Sequence, residues 1–206
     1  MPKLTAAARA ARRQDLVDAA WRCIARRGYR DLTVDDVCAE AGVSKGAFYG
    51  YFSRKQDLLL ALLEDDTVAL ATALADAGRA GAGRPADPPA GVVLRRFARA
   101  MLERAADPAR VQLRADVWAV APTEPQVRER LAFTAAAQRG WLREIVERGV
   151  AAGELTPVPA NALASLLLAL TDGLVLHGAL NPQAFRWPNV QQALEVLLEG
   201  VEVRAR

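Results

Sequence analysis

Residues 33–52 read TVDDVCAEAGVSKGAFYGYF. Val34, Val37, Cys38 and Ala41 recur at i, i+3, i+4 and i+7, the spacing of one apolar helix face. Thr33 precedes this run and Asp36 follows three residues later, the reciprocal pattern of a capping box. Gly42 is placed to adopt the left-handed conformation that ends a helix and opens a tight turn. Ser44 then offers a side-chain acceptor at the start of a second helix, expected over residues 45–52. Two short helices across a glycine turn make a helix-turn-helix, whose second helix can enter the major groove of DNA. A generic helical hairpin has the same local pattern, so spacing alone leaves both readings open.

Working outward, helical spacing recurs and strand-like alternation does not. A first helix is expected over residues 8–27, with Leu16, Ala20, Cys23 and Ile24 on one face and Gly28 as its stop. Ser53 with Gln56 makes a second capping-box pattern and opens a helix over about residues 54–77. The stretch GRAGAGRPADPPAG (78–91) reads as a loop or linker. Further helices follow over about residues 92–106, 108–121, 125–152, 160–180 and 189–203, separated by prolines and glycines. The expected fold is all-α, with about nine helices. It has an N-terminal three-helix helix-turn-helix domain over residues 10–70 and a larger helical domain over residues 71–206.

The 160–180 helix is apolar nearly all round and should be buried on more than one face. Leu163, Leu167, Leu170, Leu174 and His177 follow a 4-3-4-3 spacing along it, and Val190, Leu194, Leu197 and Val201 a 4-3-4 spacing in the last helix. Two such seams suggest a four-helix bundle between two copies of the chain; packing within one chain is the alternative.

The 206 residues are 52% hydrophobic and 25% charged, enough apolar material for a core. The chain reads as cytoplasmic, with no apolar signal-peptide core at its start and no uninterrupted apolar run of a membrane span. Cys23 and Cys38 are too few for a disulfide scaffold and are expected as small core residues. With His177 as the single histidine, no metal site and no cofactor are expected, and a Ser-His-Asp or Cys-His catalytic centre has little to be built from. Residues 1–60 hold 11 Lys and Arg against 7 Asp and Glu, net +4, whereas the remainder holds 16 against 17. All three lysines, Lys3, Lys45 and Lys55, lie in that first segment, as do Arg9, Arg12 and Arg13. A basic N-terminal arm suits a polyanion such as DNA, and charge alone fits a solubilising tail equally well.

The residue content is more specific. The stretch 12–60, with its basic first helix ending in R-R-G-Y, then T-V-D-D-V, A-G-V-S-K-G-A-F-Y-G-Y-F and S-R-K-Q-D-L-L, resembles the TetR family of bacterial transcriptional regulators. The segment GELTPVPANALASLLLALTDGLVLHGALNP also looks like the end of many family members. The resemblance implies that residues 45–52 form the recognition helix. Phe48 and Phe52 would face inward, leaving Lys45, Gly46, Ala47, Tyr49 and Gly50 outward. Lys45 can read a guanine edge or neutralise a phosphate, and Ala47 can touch a thymine methyl. Gly46 lets the backbone approach closely, and Tyr49 can donate its hydroxyl to a phosphate. Thr33 and Ser44 stand at helix N-termini, where N–H groups favour phosphate, and Lys55 would hold the DNA backbone electrostatically. Ala47 stands where a hydroxylated residue is common in the family and Gly50 where a larger one is common, so readout should lean on Lys45, the arm and DNA shape.

For the larger domain the resemblance implies a homodimer through the last two helices and a small-molecule effector whose binding tilts the fourth helix. Phe97, Met101, Trp118, Trp141, Asp172 and His177 are the candidate pocket residues, and their aromatic character favours an apolar or aromatic effector. Asp172, a charge inside a very apolar helix, needs a partner, which Arg114 or an effector group could supply. The expected activity is a ligand-responsive DNA-binding regulator, a repressor released from a palindromic operator, and not an enzyme. A helical small-molecule binder that has lost DNA binding is the alternative, supported only by Ala47 and Gly50.

Overall fold

The computed structural model describes residues 5–78, 88–181, 183 and 185–203. Among these residues the chain forms nine helices and no strands: α1 (Ala6–Arg27), α2 (Val34–Ala41), α3 (Lys45–Tyr49), α4 (Lys55–Gly78), α5 (Ala90–Ala105), α6 (Pro108–Val120), α7 (Pro125–Ala151), α8 (Ala160–Leu180) and α9 (Trp187–Glu199). The all-α expectation and the element order agree with it. Lys3 and residues 79–87 of the expected linker lie outside the described residues.

Differences at the helix ends have identifiable causes. α1 starts at Ala6 because Thr5 caps it, its hydroxyl accepting the Ala8 N–H at 3.2 Å. Thr33 and Asp36 form the full capping box of α2, and Gly42 ends it at φ 65°. α3 stops at Tyr49, short of the expected Phe52: Gly50 N–H reaches back to Ala47 O at 3.1 Å and Tyr51 N–H to Phe48 O at 2.9 Å, tightening the turn. At α4 the expected partner of Ser53 is replaced. Its N–H goes to Asp57 Oδ2 at 3.0 Å, while Gln56 turns to Glu124. A carboxylate outcompetes an amide as acceptor for an orphan helix-end donor. α5 begins at Ala90, two residues early, because Glu154 Oε2 accepts the Ala90 N–H at 2.7 Å.

Two apolar cores organise the helices. The first collects Leu16, Val17, Ala20, Cys23 and Ile24 of α1, Val37 and Cys38 of α2, Phe48, Phe52, and Leu58, Leu59 and Leu62 of α4. It also takes in Ala109, Leu113 and Val117 of α6. Both cysteines are free and buried there, and burial pushes both thiols up from their ordinary pKa. The second core holds Val93, Leu94, Phe97 and Met101 of α5 with Leu142, Val146, Ala164, Leu167, Leu194 and Leu198, and it includes Leu70 of α4. α4 therefore contributes to both cores along a rod about 36 Å long.

Within one chain, the α8–α9 seam divides between core and surface. Leu167 and Leu194 are buried in the second core, and Leu163, Leu174, Val190 and Val201 pack against it. Leu170 and Leu197 stay exposed, as do Leu166, Leu180 and Val196 beside them. The physical reason is that α8 is apolar on several faces, so spacing could not say which face meets α5 and α7 and which stays open. By length and composition α8 is also long and apolar enough to cross a membrane. Here it packs on α7, α6 and α5, and its Asp172 is ion-paired to Arg114 of α6 at 3.1 Å.

Phe48 is fully buried at the centre of the first core. Phe48→Ala is expected to cost about 3–5 kcal/mol of folding stability, measured by urea denaturation; a loss under about 1 kcal/mol would contradict this packing.

Candidate nucleic-acid interface and adjoining cavity

Phe48 and Phe52 both turn inward, their rings 5.5 Å apart, which fixes the rotation of α3 about its axis. Lys45, Gly46, Ala47, Tyr49 and Gly50 are consequently all exposed on one surface. Tyr49 rests its ring edge on Phe48 at 5.5 Å and remains 53% exposed, leaving its hydroxyl free to reach outward. Ser44 accepts the Ala47 N–H at 3.2 Å, and Thr33 accepts the Asp36 N–H at 3.1 Å. Both hydroxyl-bearing residues thus act as caps at the ends nearest this surface.

The basic groups around α3 are held in different ways. Lys45 pairs with Asp35 of α2 at 2.8 Å, and this hydrogen-bonded carboxylate raises the ammonium's pKa. Arg9 of α1 donates to Gly50 O at 3.1 Å and lies over the Tyr51 ring, tying the start of α1 to the end of α3. Arg13 sits over the Phe52 ring at 5.3 Å. Lys55 turns toward the protein: its Nζ donates to Arg30 O at 3.1 Å and lies 4.4 Å from the Tyr29 ring centre. Desolvation there lowers its pKa. Sequence reasoning missed Asp35 as the counter-charge of Lys45. The available signal was its place in the acidic first turn of α2, seven residues before the Gly42 turn.

The six candidate pocket residues do not gather in one place. Trp118 and Asp172 line a cavity of about 640 Å³ between α6, α7 and α8, together with Arg114, Arg128, Arg139 and Ser165. Trp141 lines a second cavity of about 300 Å³ between α4 and α7, which shares Thr134 and Gln138 with the first. Met101 borders a space of only about 30 Å³ beside Arg104 and Arg110. Phe97 is core, with its ring 5.8 Å from Trp141. His177 is exposed, edge-on to Phe185 at 6.4 Å, and is not among the residues lining these three cavities. Among the described residues, no group of three His, Cys, Asp or Glu is placed to hold a metal ion.

α6 connects the cavity to the first core and to the chain just before α2. Arg114 and Trp118 reach the cavity, while Asp116 accepts the Tyr29 and Arg30 N–H groups at 2.9 and 3.1 Å, immediately before α2. On the α4 side, Asp66 takes ion pairs from Arg104 and Arg110, and Arg110 lies over the Trp21 ring of α1.

These features fit a class: all-helical regulators of transcription that bind DNA through a helix-turn-helix. Comparison with known proteins agrees. Residues 16–62 match the profile described as bacterial regulatory proteins, tetR family, and residues 92–203 the BetI-type transcriptional repressor C-terminal profile. The chain belongs to the TetR family. It is 28% identical over 167 residues to the HTH-type transcriptional repressor AcnR of Corynebacterium glutamicum, covering 79% of each chain. It is 46% identical over 52 residues to the HTH-type transcriptional regulator BetI of Brucella anthropi, covering 25% of this chain and 27% of that one. The match to AcnR of Corynebacterium diphtheriae spans 41% of that protein, less than half its length. A TetR transcription regulator from Haloarcula marismortui superposes with a TM-score of 0.83 at 19% identity, covering 94% of this chain and 100% of that one. A transcriptional regulator from Saccharomonospora viridis, solved in complex with choline, superposes at 0.78 with 22% identity, covering 95% and 100%. At these identities the two structures establish the fold.

The α2 cap has a pH signature. Hydrogen bonds from the Thr33 hydroxyl and backbone N–H hold the Asp36 carboxyl below its ordinary value of 3.8. A depressed folded pKa gives stability that is complete above the unfolded value and lost as pH falls through the folded one. Thr33→Ala should therefore lower the thermal midpoint at neutral pH, with the deficit shrinking as Asp36 protonates in acid. A pH-independent deficit in differential scanning calorimetry would refute the assignment.

Proposed function

We propose that the chain is a homodimeric repressor that holds a roughly palindromic operator and releases it when a small effector binds. The observation that carries this reading is the exposed surface of α3: Lys45, Gly46, Ala47 and Tyr49 stand outward because Phe48 and Phe52 are buried beneath them. Residues 10–70 form the DNA-binding part and residues 71–206 the effector and dimer part. In the bound state Lys45 exchanges Asp35 for a guanine edge or a phosphate, and Tyr49 reaches a phosphate with its hydroxyl. Thr33 and Ser44 present N–H groups at the helix ends. Lys55, held against Arg30 and Tyr29, contributes its field to the DNA backbone. Ala47 and Gly46 give apolar contact and close approach, so specificity leans on Lys45, on the basic start of α1 and on DNA shape.

The dimer forms through α8 and α9. The exposed Leu166, Leu170, Leu180, Val196 and Leu197 are the residues available for it, rather than the inward-facing members of the seam. Two copies would set their α3 helices about 34–36 Å apart, one turn of duplex. The effector enters the α6–α7–α8 cavity, where Trp118 offers an aromatic surface. Movement of α6 is passed to the DNA-binding part through Asp116 and the Leu113–Val117 packing. A differential affinity of about 1–3 kcal/mol between the two packings would change operator affinity roughly 5–150-fold. The protein acts in the cytoplasm, without a membrane and without catalysis.

A fluorescence-anisotropy titration tests the DNA surface, using random duplexes and duplexes selected from a random pool. Lys45→Ala should weaken binding and change sequence preference. Lys55→Ala should weaken binding to all sequences alike and reduce the salt-dependence slope by roughly one. Unchanged affinity in both variants would sink the docking geometry.

A further inference from the structure

The α6–α7–α8 cavity has an unbalanced lining. Arg114, Arg128 and Arg139 border it, and Asp172 is the single carboxylate among its lining residues. Asp172 is engaged by Arg114 at 3.1 Å. Among the described residues neither Arg128, which is exposed, nor Arg139, which is half-buried, is ion-paired to a carboxylate. The Nε of Arg139 is buried and makes no hydrogen bond. A buried guanidinium donor left unsatisfied is unfavourable, and it calls for a partner, a water or a ligand group. Thr134, Gln138 and Ser165 are its uncharged polar members, and the rest of the lining is apolar, with Trp118 still 48% exposed and Leu131, Leu168 and Leu176 beside it. With a volume of about 640 Å³, the cavity has room for a small molecule with a hydrophobic body.

We infer that the effector of this protein is an organic anion: an apolar or aromatic body carrying a carboxylate, which Arg139 and Arg128 receive in the α6–α7–α8 cavity. The inference rests on the effector-binding reading above and narrows its chemistry. Guanidinium groups match a carboxylate in charge and in the geometry of two parallel N–H donors. A cationic effector such as a quaternary ammonium would meet the opposite arrangement. It would find a surplus of positive charge and one carboxylate already paired.

The full-length protein titrated by calorimetry with 2-naphthoate, its neutral amide 2-naphthamide, and choline separates these chemistries. The naphthoate should bind at least about tenfold more tightly than the amide, and choline more weakly than either. Arg139→Gln should remove about tenfold of naphthoate affinity while shifting the amide less than twofold. Arg139→Lys should keep part of the preference for the anion. Arg143→Gln, one turn further along α7 and outside the cavity lining, should leave it intact. Thermal melts establish that each variant is folded. An amide or choline that binds as tightly as the naphthoate would overturn the inference. So would absence of binding by all three probes, an Arg139→Gln protein with its preference intact, or one whose only change is in oligomeric state. Retention of the ligand-free protein on duplex DNA is measured alongside. Retention without anion preference overturns this inference alone, whereas loss of retention overturns the DNA-binding reading beneath it.

Discussion

Leu113 and Val117 of α6 are buried in the same core as Phe48 and Phe52. The helix that borders the large cavity is thus also a wall of the core beneath α3. A close-packed core moves between discrete arrangements instead of deforming smoothly. Displacing α6 from the cavity side must therefore shift what packs on it. The two Asp116 hydrogen bonds to the backbone before α2 and the Asp66 ion pairs from Arg104 and Arg110 give that packing direction. Hydrophobic contact supplies the connection and polar contact sets its register.

The exposed surface of α3 follows a similar division. Burial of two phenylalanines orients α3, while its charges are restrained by neighbours: Lys45 by Asp35, and Lys55 by Arg30 and Tyr29. Such exposed or half-exposed pairs are weak in water and can exchange for phosphate. Arg9 bonded to Gly50 shows that the basic start of α1 touches the end of α3.

Much of the helix-turn-helix was legible in sequence because its determinants are local. The Thr33–Asp36 capping box, the left-handed Gly42 and the Ser44 cap each involve residues within a few positions of one another. The early end of α3 was not legible, because the tightened turn at Gly50 satisfies the same donors as a continued helix would. Nor was the Ser53 cap, where Asp57 and Gln56 both stood within reach and only the presence of Glu124, 68 residues further on, drew Gln56 away. The pocket proved least legible. Phe97, Met101, Trp118, Trp141, Asp172 and His177 share aromatic or unusual character, but the packing of α4 to α8 distributes them over core, cavities and surface.

By itself, then, the sequence determined the helices, their order, the glycine turn between α2 and α3, and the family to which this pattern belongs, since periodicity and capping act over a few residues. Tertiary structure decided which face of α8 is covered, which counter-charge each basic group holds, and which arginines stand around an open cavity without an acid to match them. Those outcomes depend on side chains brought together from distant parts of the chain, and spacing within one helix carries no information about its neighbours.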